Sequence, residues 1–144
     1  MDQYLEFITN HYLLSFAFVV VAFLLIQDLL ENTFSKVESL SPLLAVTKMN
    51  SSDVFTMDVR DSHDFLKGHI EGAENTPLDK IEENLEALSA YKTTEVLLVC
   101  QTGTRITAAS KILAAAGFEK ILSLKGGMQS WEDAKLPVKM SSKK

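Results

Sequence analysis

The residues with the most chemistry per position form one short run, Cys100-Gln101-Thr102-Gly103-Thr104-Arg105. A thiol attacks only as a thiolate, and a thiolate needs positive potential beside it. This run can supply it. Backbone N–H groups of residues 101 to 105 can curl round the sulfur, and the N-terminus of a following helix adds a partial positive charge worth about 0.3–1 kcal/mol when exposed. Arg105 closes the loop and can orient it. Gly103 permits the sharp turn, because glycine tolerates positive φ. Thr102 and Thr104 add hydroxyls that can hydrogen-bond an anion. A cysteine after a hydrophobic strand is often no more than a small buried apolar residue. Here it opens a Gly/Thr loop that ends in an arginine, and that context points to an anion-binding reactive thiol.

Cys100 is the only cysteine, so no disulfide forms within the chain. A lone thiol suits a reducing compartment, or a protein that uses the thiol. Arginine is also scarce: Arg60 and Arg105 stand against twelve lysines. A planar five-donor fork cannot be replaced by an ammonium, so both arginines are expected at specific places. The net charge of −5 argues against nucleic acid as a partner, since phosphate binding needs a basic face.

Alternating strand and helix signals must position the cysteine. Val54–Val59 reads as a buried strand, Asp61–Leu66 as a short helix capped by Asp61 or Ser62, and Gly68–Ala73 as a turn into a short strand. Leu78–Leu88 is amphipathic, with Ile81, Leu85 and Leu88 on one face. Glu95–Cys100 is a second buried strand. Thr104–Ala116 follows as a helix with Ala108, Ala109, Ile112, Leu113 and Ala116 turned inward, ended by Gly117. Lys120–Leu124 is a third strand, Gly126-Gly127 opens a helix through Trp131, and Pro137 closes the domain. Such alternation predicts a parallel sheet flanked by helices on both faces. Ligands in these sheets sit beyond the carboxyl ends of strands, where Cys100 lies.

The N-terminal part differs in kind. From Phe7 to Gln27 there is no Asp, Glu, Lys or Arg. Phe7–Ile26 meets the roughly 20 residues that a helix needs to cross a bilayer. It is apolar on all sides, which disfavours a helix lying flat on a surface. An acidic start and the lack of a small-residue cleavage site argue against a signal peptide. The expected organisation is a transmembrane anchor over 1–31, a linker over 32–40, one domain over 41–140 and a basic tail over 141–144. Ser41 and Pro42 would start a short helix, Pro42–Met49, at the head of the domain. Lys36 and Lys48 follow the span and no basic residue precedes it, which favours a domain facing the cytoplasm.

Taken in order, Asp58-Val59-Arg60, Gly68-His69-Ile70 with Gly72-Ala73, the run from Cys100 to Arg105, Gly126-Gly127-Met128-Gln129-Ser130-Trp131 and Leu136-Pro137-Val138 resemble the successive signatures of the rhodanese-like domain family. The resemblance covers roughly residues 40 to 140. With the N-terminal apolar stretch, it extends to bacterial membrane-anchored single-domain proteins of the YibN type, and so to the bacterial inner (cytoplasmic) membrane as location.

The resemblance implies a sulfurtransferase. Cys100 would take the outer sulfur of a donor, thiosulfate or a protein persulfide, and pass it as a persulfide to a thiol or cyanide-like acceptor. Gln101, Thr102, Gly103, Thr104 and Arg105 would form the persulfide-binding loop. Asp58 and Arg60 would buttress that loop from the sheet edge. His69 would belong to a structural turn, and Trp131 would pack the last helix. No metal or organic cofactor is implied. Related phosphatases use a Cys-to-Arg loop one residue longer, and the four residues between Cys100 and Arg105 favour sulfur. The other expected role is a non-catalytic binding module tethered beside a membrane-protein partner.

Overall fold

The structure is a computed structural model that describes residues 11–34 and 37–141. The chain divides into two compact units, residues 1–35 and 36–144.

In the first unit, helix α1 spans Tyr12–Phe34. Its large apolar side chains are exposed wherever described, from Tyr12 and Phe16 through Phe18 (74%) to Ile26. Among the described residues, no helix is long and apolar enough to cross a membrane. The expected span starts at Phe7, and residues 7 to 10 lie outside the described residues. The apolar run that is described, Tyr12 to Ile26, falls short of the roughly 20 residues required.

The second unit is a five-stranded parallel sheet in the order β1-β5-β4-β2-β3. The strands are β1 (Glu38–Leu40), β2 (Val54–Asp58), β3 (Glu74–Asn75), β4 (Glu95–Val99) and β5 (Lys120–Leu124). The helices are α2 (Pro42–Ser51), α3 (Ser62–Lys67), α4 (Ile81–Leu88), α5 (Ile106–Ala115) and α6 (Gly127–Asp133). The expected α/β architecture is therefore present. Strand β1 is an addition: it lies in the stretch read as linker and pairs with β5, Glu38 opposite Leu122 and Leu40 opposite Leu124.

Side chains alternate across each strand, so the sheet carries a core on each face. Phe55, Met57, Val59, Val96 and Leu98 face Ile81 and Leu88 of α4 and Ile106, Ala109 and Leu113 of α5. Leu97, Val99, Leu122 and Leu124 face Ala45 of α2 and Met128 and Trp131 of α6. Cys100 continues the first series one step beyond β4.

Local chemistry sets the helix ends. Ser41 caps α2, its Oγ accepting from Leu44 N–H at 3.4 Å, with Pro42 in the first turn. Helix α5 ends in a Schellman motif: Gly117 (φ +92°) donates to Ala114 O and Phe118 to Leu113 O, both at 3.1 Å. Helix α5 starts at Ile106 with Arg105 as N-cap, two residues later than expected, so Thr104 belongs to the loop. Ala108 is exposed and Ser110 takes the buried place, bonding back to Thr107 O at 2.9 Å.

A surface ion pair ties α2 to the start of β4. Lys48 Nζ lies 2.8 Å from Glu95 Oε1, and Ser52 Oγ donates to Glu95 Oε2 at 3.1 Å. The hydrogen bond from Lys48, then that from Ser52, holds the Glu95 carboxyl below its ordinary range against partial burial; the same pairing raises Lys48. A depressed carboxylate stabilises the fold above its unfolded pKa and loses that contribution as pH falls through the folded value. A raised ammonium loses its contribution as pH rises through its own folded value. The urea midpoint should therefore decline below about pH 5 more steeply in wild type than in Lys48→Met. Parallel curves would show that the pair adds nothing.

Candidate active site

The candidate site residues converge at the carboxyl ends of β2, β4 and β5. Cys100 follows β4, Arg60 lies two residues beyond β2, and Gly126-Gly127 lies just beyond β5. This is the edge where a parallel α/β sheet places its ligands.

Cys100 is a free thiol, and the residue is 1% exposed. Its position on the β4 alternation turns it toward Ile106 and the start of α5. The chain then doubles back. Gly103 adopts φ +97°, and its N–H donates to Cys100 Sγ at 2.7 Å. The expected feature of the loop, an amide directed at the sulfur, is thus present at Gly103. Gln101, Thr102, Thr104 and Arg105 are exposed, so the loop faces solvent while the thiol does not. A donor reaches the sulfur only if the residues packed around it give way.

The loop rests on two supports. The first is a buried ion pair. Asp58 is fully buried and Arg60 is 3% exposed. Arg60 Nε donates to both Asp58 carboxylate oxygens at 3.0 and 3.1 Å, and its Nη2 donates to Oδ2 at 2.7 Å. Nη2 also donates to Gly68 O at 2.8 Å, and Nη1 donates to Gln101 Oε1 at 3.1 Å. One guanidinium therefore links β2, the turn at Gly68 and the cysteine loop. A lysine has no fork to do this. Asn75 completes the frame by donating to the carbonyls of Asp58 (3.1 Å) and Arg60 (2.9 Å).

The second support is α6. Gly126 and Gly127 have φ of +75° and +63°, left-handed geometry that favours glycine. This turn aims the first free amides of α6 at the loop. Met128 N–H donates to Cys100 O at 2.8 Å, and Gln129 N–H donates to Gln101 O at 3.1 Å. Gly127 lies so close that a Cβ there would collide with the Cys100 carbonyl oxygen and stand 2.6 Å from that of Gln101. Asn75 and the role of Gly126-Gly127 against the loop were not read from the sequence. The paired glycines were the available signal, seen there as a helix start and as part of the family signature.

Arg105 is exposed, its guanidinium 3.6 Å from Asp61 Oδ2. His69 Nδ1 is 2.9 Å from Phe65 O; a carbonyl only accepts, so Nδ1 carries the proton. Its ring stacks on Phe65, and its backbone bridges to Lys139. Trp131 is buried, and its indole N–H donates to Pro137 O at 3.0 Å. Both are structural contacts. A groove of about 290 Å³ between Val46, Met49, Ile70, Trp131 and Leu136 belongs to the opposite face of the sheet from Cys100.

Comparison with known proteins agrees with this geometry. The rhodanese-like domain family model matches residues 41–134. The Escherichia coli (strain K12) protein YibN is 28% identical over 139 residues, 96% of this chain and 97% of YibN. Thiosulfate sulfurtransferase 18 of Arabidopsis thaliana is 33% identical over 94 residues, 57% of this chain and 69% of that protein. The crystal structure of a rhodanese-like domain protein from Staphylococcus aureus has a TM-score of 0.65 at 27% identity, covering 74% of this chain and 100% of that one. With the matched region spanning both supports and the cysteine loop, the chain belongs to the rhodanese-like domain family.

Proposed function

We propose that the chain is a sulfurtransferase that carries sulfane sulfur as a persulfide on Cys100 and passes it to a thiophilic acceptor. The observation that carries this reading is the Gly103 amide directed at Cys100 Sγ from 2.7 Å. A preorganised N–H donor favours the thiolate, and later a persulfide anion, without reorganisation at the moment of reaction. Cys100 acts as nucleophile. The segment from Gln101 to Arg105 encloses the transferred sulfur, and Asp58 and Arg60 hold that segment in place. The resemblance to a protein named thiosulfate sulfurtransferase supports the same chemistry.

Intact-protein mass spectrometry tests it. After incubation with thiosulfate, or separately with glutathione hydropersulfide, wild type should gain one sulfur atom. Cyanide should remove it, and Cys100→Ser should never acquire it. A wild-type mass unchanged by both donors would reject the reading.

The burial of Cys100 favours one alternative, a rhodanese-like module that binds a partner without using its thiol. In that case Cys100→Ser would leave the cellular role intact.

The anchor belongs to the same proposal. The exposed apolar surface of α1 supports a span over residues 7–27 in the bacterial inner membrane, with the domain on the cytoplasmic side. Resistance to alkaline carbonate extraction, together with protection of the domain from protease added outside spheroplasts, is the expected result. Release by carbonate would overturn the span.

A further inference from the structure

Asp61 and Arg105 meet beside the mouth of the cysteine loop, with side chains 68% and 45% exposed. Asp61 occupies the N-cap of α3, yet its carboxylate makes no cap bond. Its backbone carbonyl accepts from Asp64 and Phe65 N–H, and the carboxylate goes to Arg105 instead. An exposed pair of this kind contributes little to stability. Its effect falls on the local field.

The second guanidinium near the loop, that of Arg60, is matched by Asp58. Both arginines at the site are therefore neutralised, and no residue from Cys100 to Thr104 carries a formal side-chain charge while the thiol is protonated. Amide dipoles remain to hold one anionic sulfur. A dianion such as thiosulfate finds no unmatched guanidinium here and meets Asp61 on approach. A thiol-bound hydropersulfide, neutral or singly charged, meets a smaller barrier.

Resting on the sulfurtransferase reading, we propose that Asp61 is a specificity-determining residue: paired with Arg105, it turns the site toward thiol-bound hydropersulfides and against dianionic donors. The Cys100 thiolate attacks the outer sulfur of R–S–SH. The new S–S bond forms as the S–S bond of the donor breaks, and the electron pair departs on R–S⁻. The proton stays on the transferred sulfur, and no oxidant or reductant is consumed. Thiosulfate would react by the same displacement, with sulfite as leaving group, but both of its charges must come near Asp61.

The test is the rate of sulfur loading on Cys100 in the full chain, followed by intact mass, for wild type, Asp61→Asn and Asp61→Lys. Thiosulfate and cysteine hydropersulfide, a zwitterion with a net charge of zero or minus one, are the donors. Removing one charge several ångströms from a dianion should raise the thiosulfate-to-hydropersulfide ratio of second-order rate constants about fivefold at low salt. Asp61→Lys should raise it further, and about 1 M salt should shrink both effects. An unchanged ratio, or equal changes with both donors, would overturn the role of Asp61 and leave the transferase reading standing. Failure of both donors to load wild-type Cys100 would overturn both.

Discussion

Arg60→Met should destabilise the fold by about 3–5 kcal/mol, because it leaves the Asp58 carboxylate buried without its cation. Asp58 is fully buried, and Arg60 supplies it with three side-chain hydrogen bonds. For a domain of this size the loss corresponds to a fall in Tm of more than about 10 °C. Gly68 O and Gln101 Oε1 lose their donors as well, so sulfur loading should drop even at temperatures where the variant is folded. Arg60→Lys should fail almost as badly, since an ammonium cannot serve the carboxylate, Gly68 and Gln101 together. The double variant Asp58→Leu/Arg60→Met should recover much of the stability, because it removes the stranded charge with its partner. It should not recover loading, because the link to Gln101 stays broken. Urea unfolding of wild type, Arg60→Met, Asp58→Leu and the double variant closes the cycle that gives the coupling energy. A single-variant loss below about 1 kcal/mol would mean that the pair is not buried as described.

Gly127→Ala is the second large effect, and its cause is backbone proximity. The new methyl would collide with the Cys100 carbonyl oxygen, and φ of +63° is unfavourable for alanine. Backbone atoms cannot rotate aside, so the turn and the loop must separate. A loss above about 2–3 kcal/mol is expected, conformational strain plus overpacking. The amides of Met128 and Gln129 would leave the carbonyls of Cys100 and Gln101, and loading should fall at least about tenfold for a misplacement of that size. Gly72 is the control. Its φ is +81°, but nothing lies within 4 Å of an added Cβ. Gly72→Ala should therefore cost about 1 kcal/mol and spare loading. Equal losses at the two glycines would show that conformation alone matters at Gly127.

These contrasts show where sequence was informative. Strands β2, β4 and β5 were legible because each is a short, predominantly apolar run, as expected where both faces are covered. Cys100 was legible as the residue that ends such a run and opens a glycine turn. Strand β1 was not, because Glu38-Ser39-Leu40 has neither length nor period and acquires its form only from pairing with β5. The start of α5 was placed too early because Thr104 has no local mark distinguishing loop from first turn. The bond from Arg60 to Gln101 joins residues 41 positions apart and has no sequence signature. Gly127 illustrates the general difficulty: its lack of a side chain is visible, but the carbonyls that require that lack arrive from a distant loop.

The depth at which the sulfur rests bears on its lifetime. Oxidation of cysteine by peroxide follows thiolate character and exposure together. With no second cysteine among 144 residues, a sulfenic acid here has no internal thiol to condense with. The burial of Cys100 thus stands in for a resolving partner, slowing the first oxidation step instead of repairing its product.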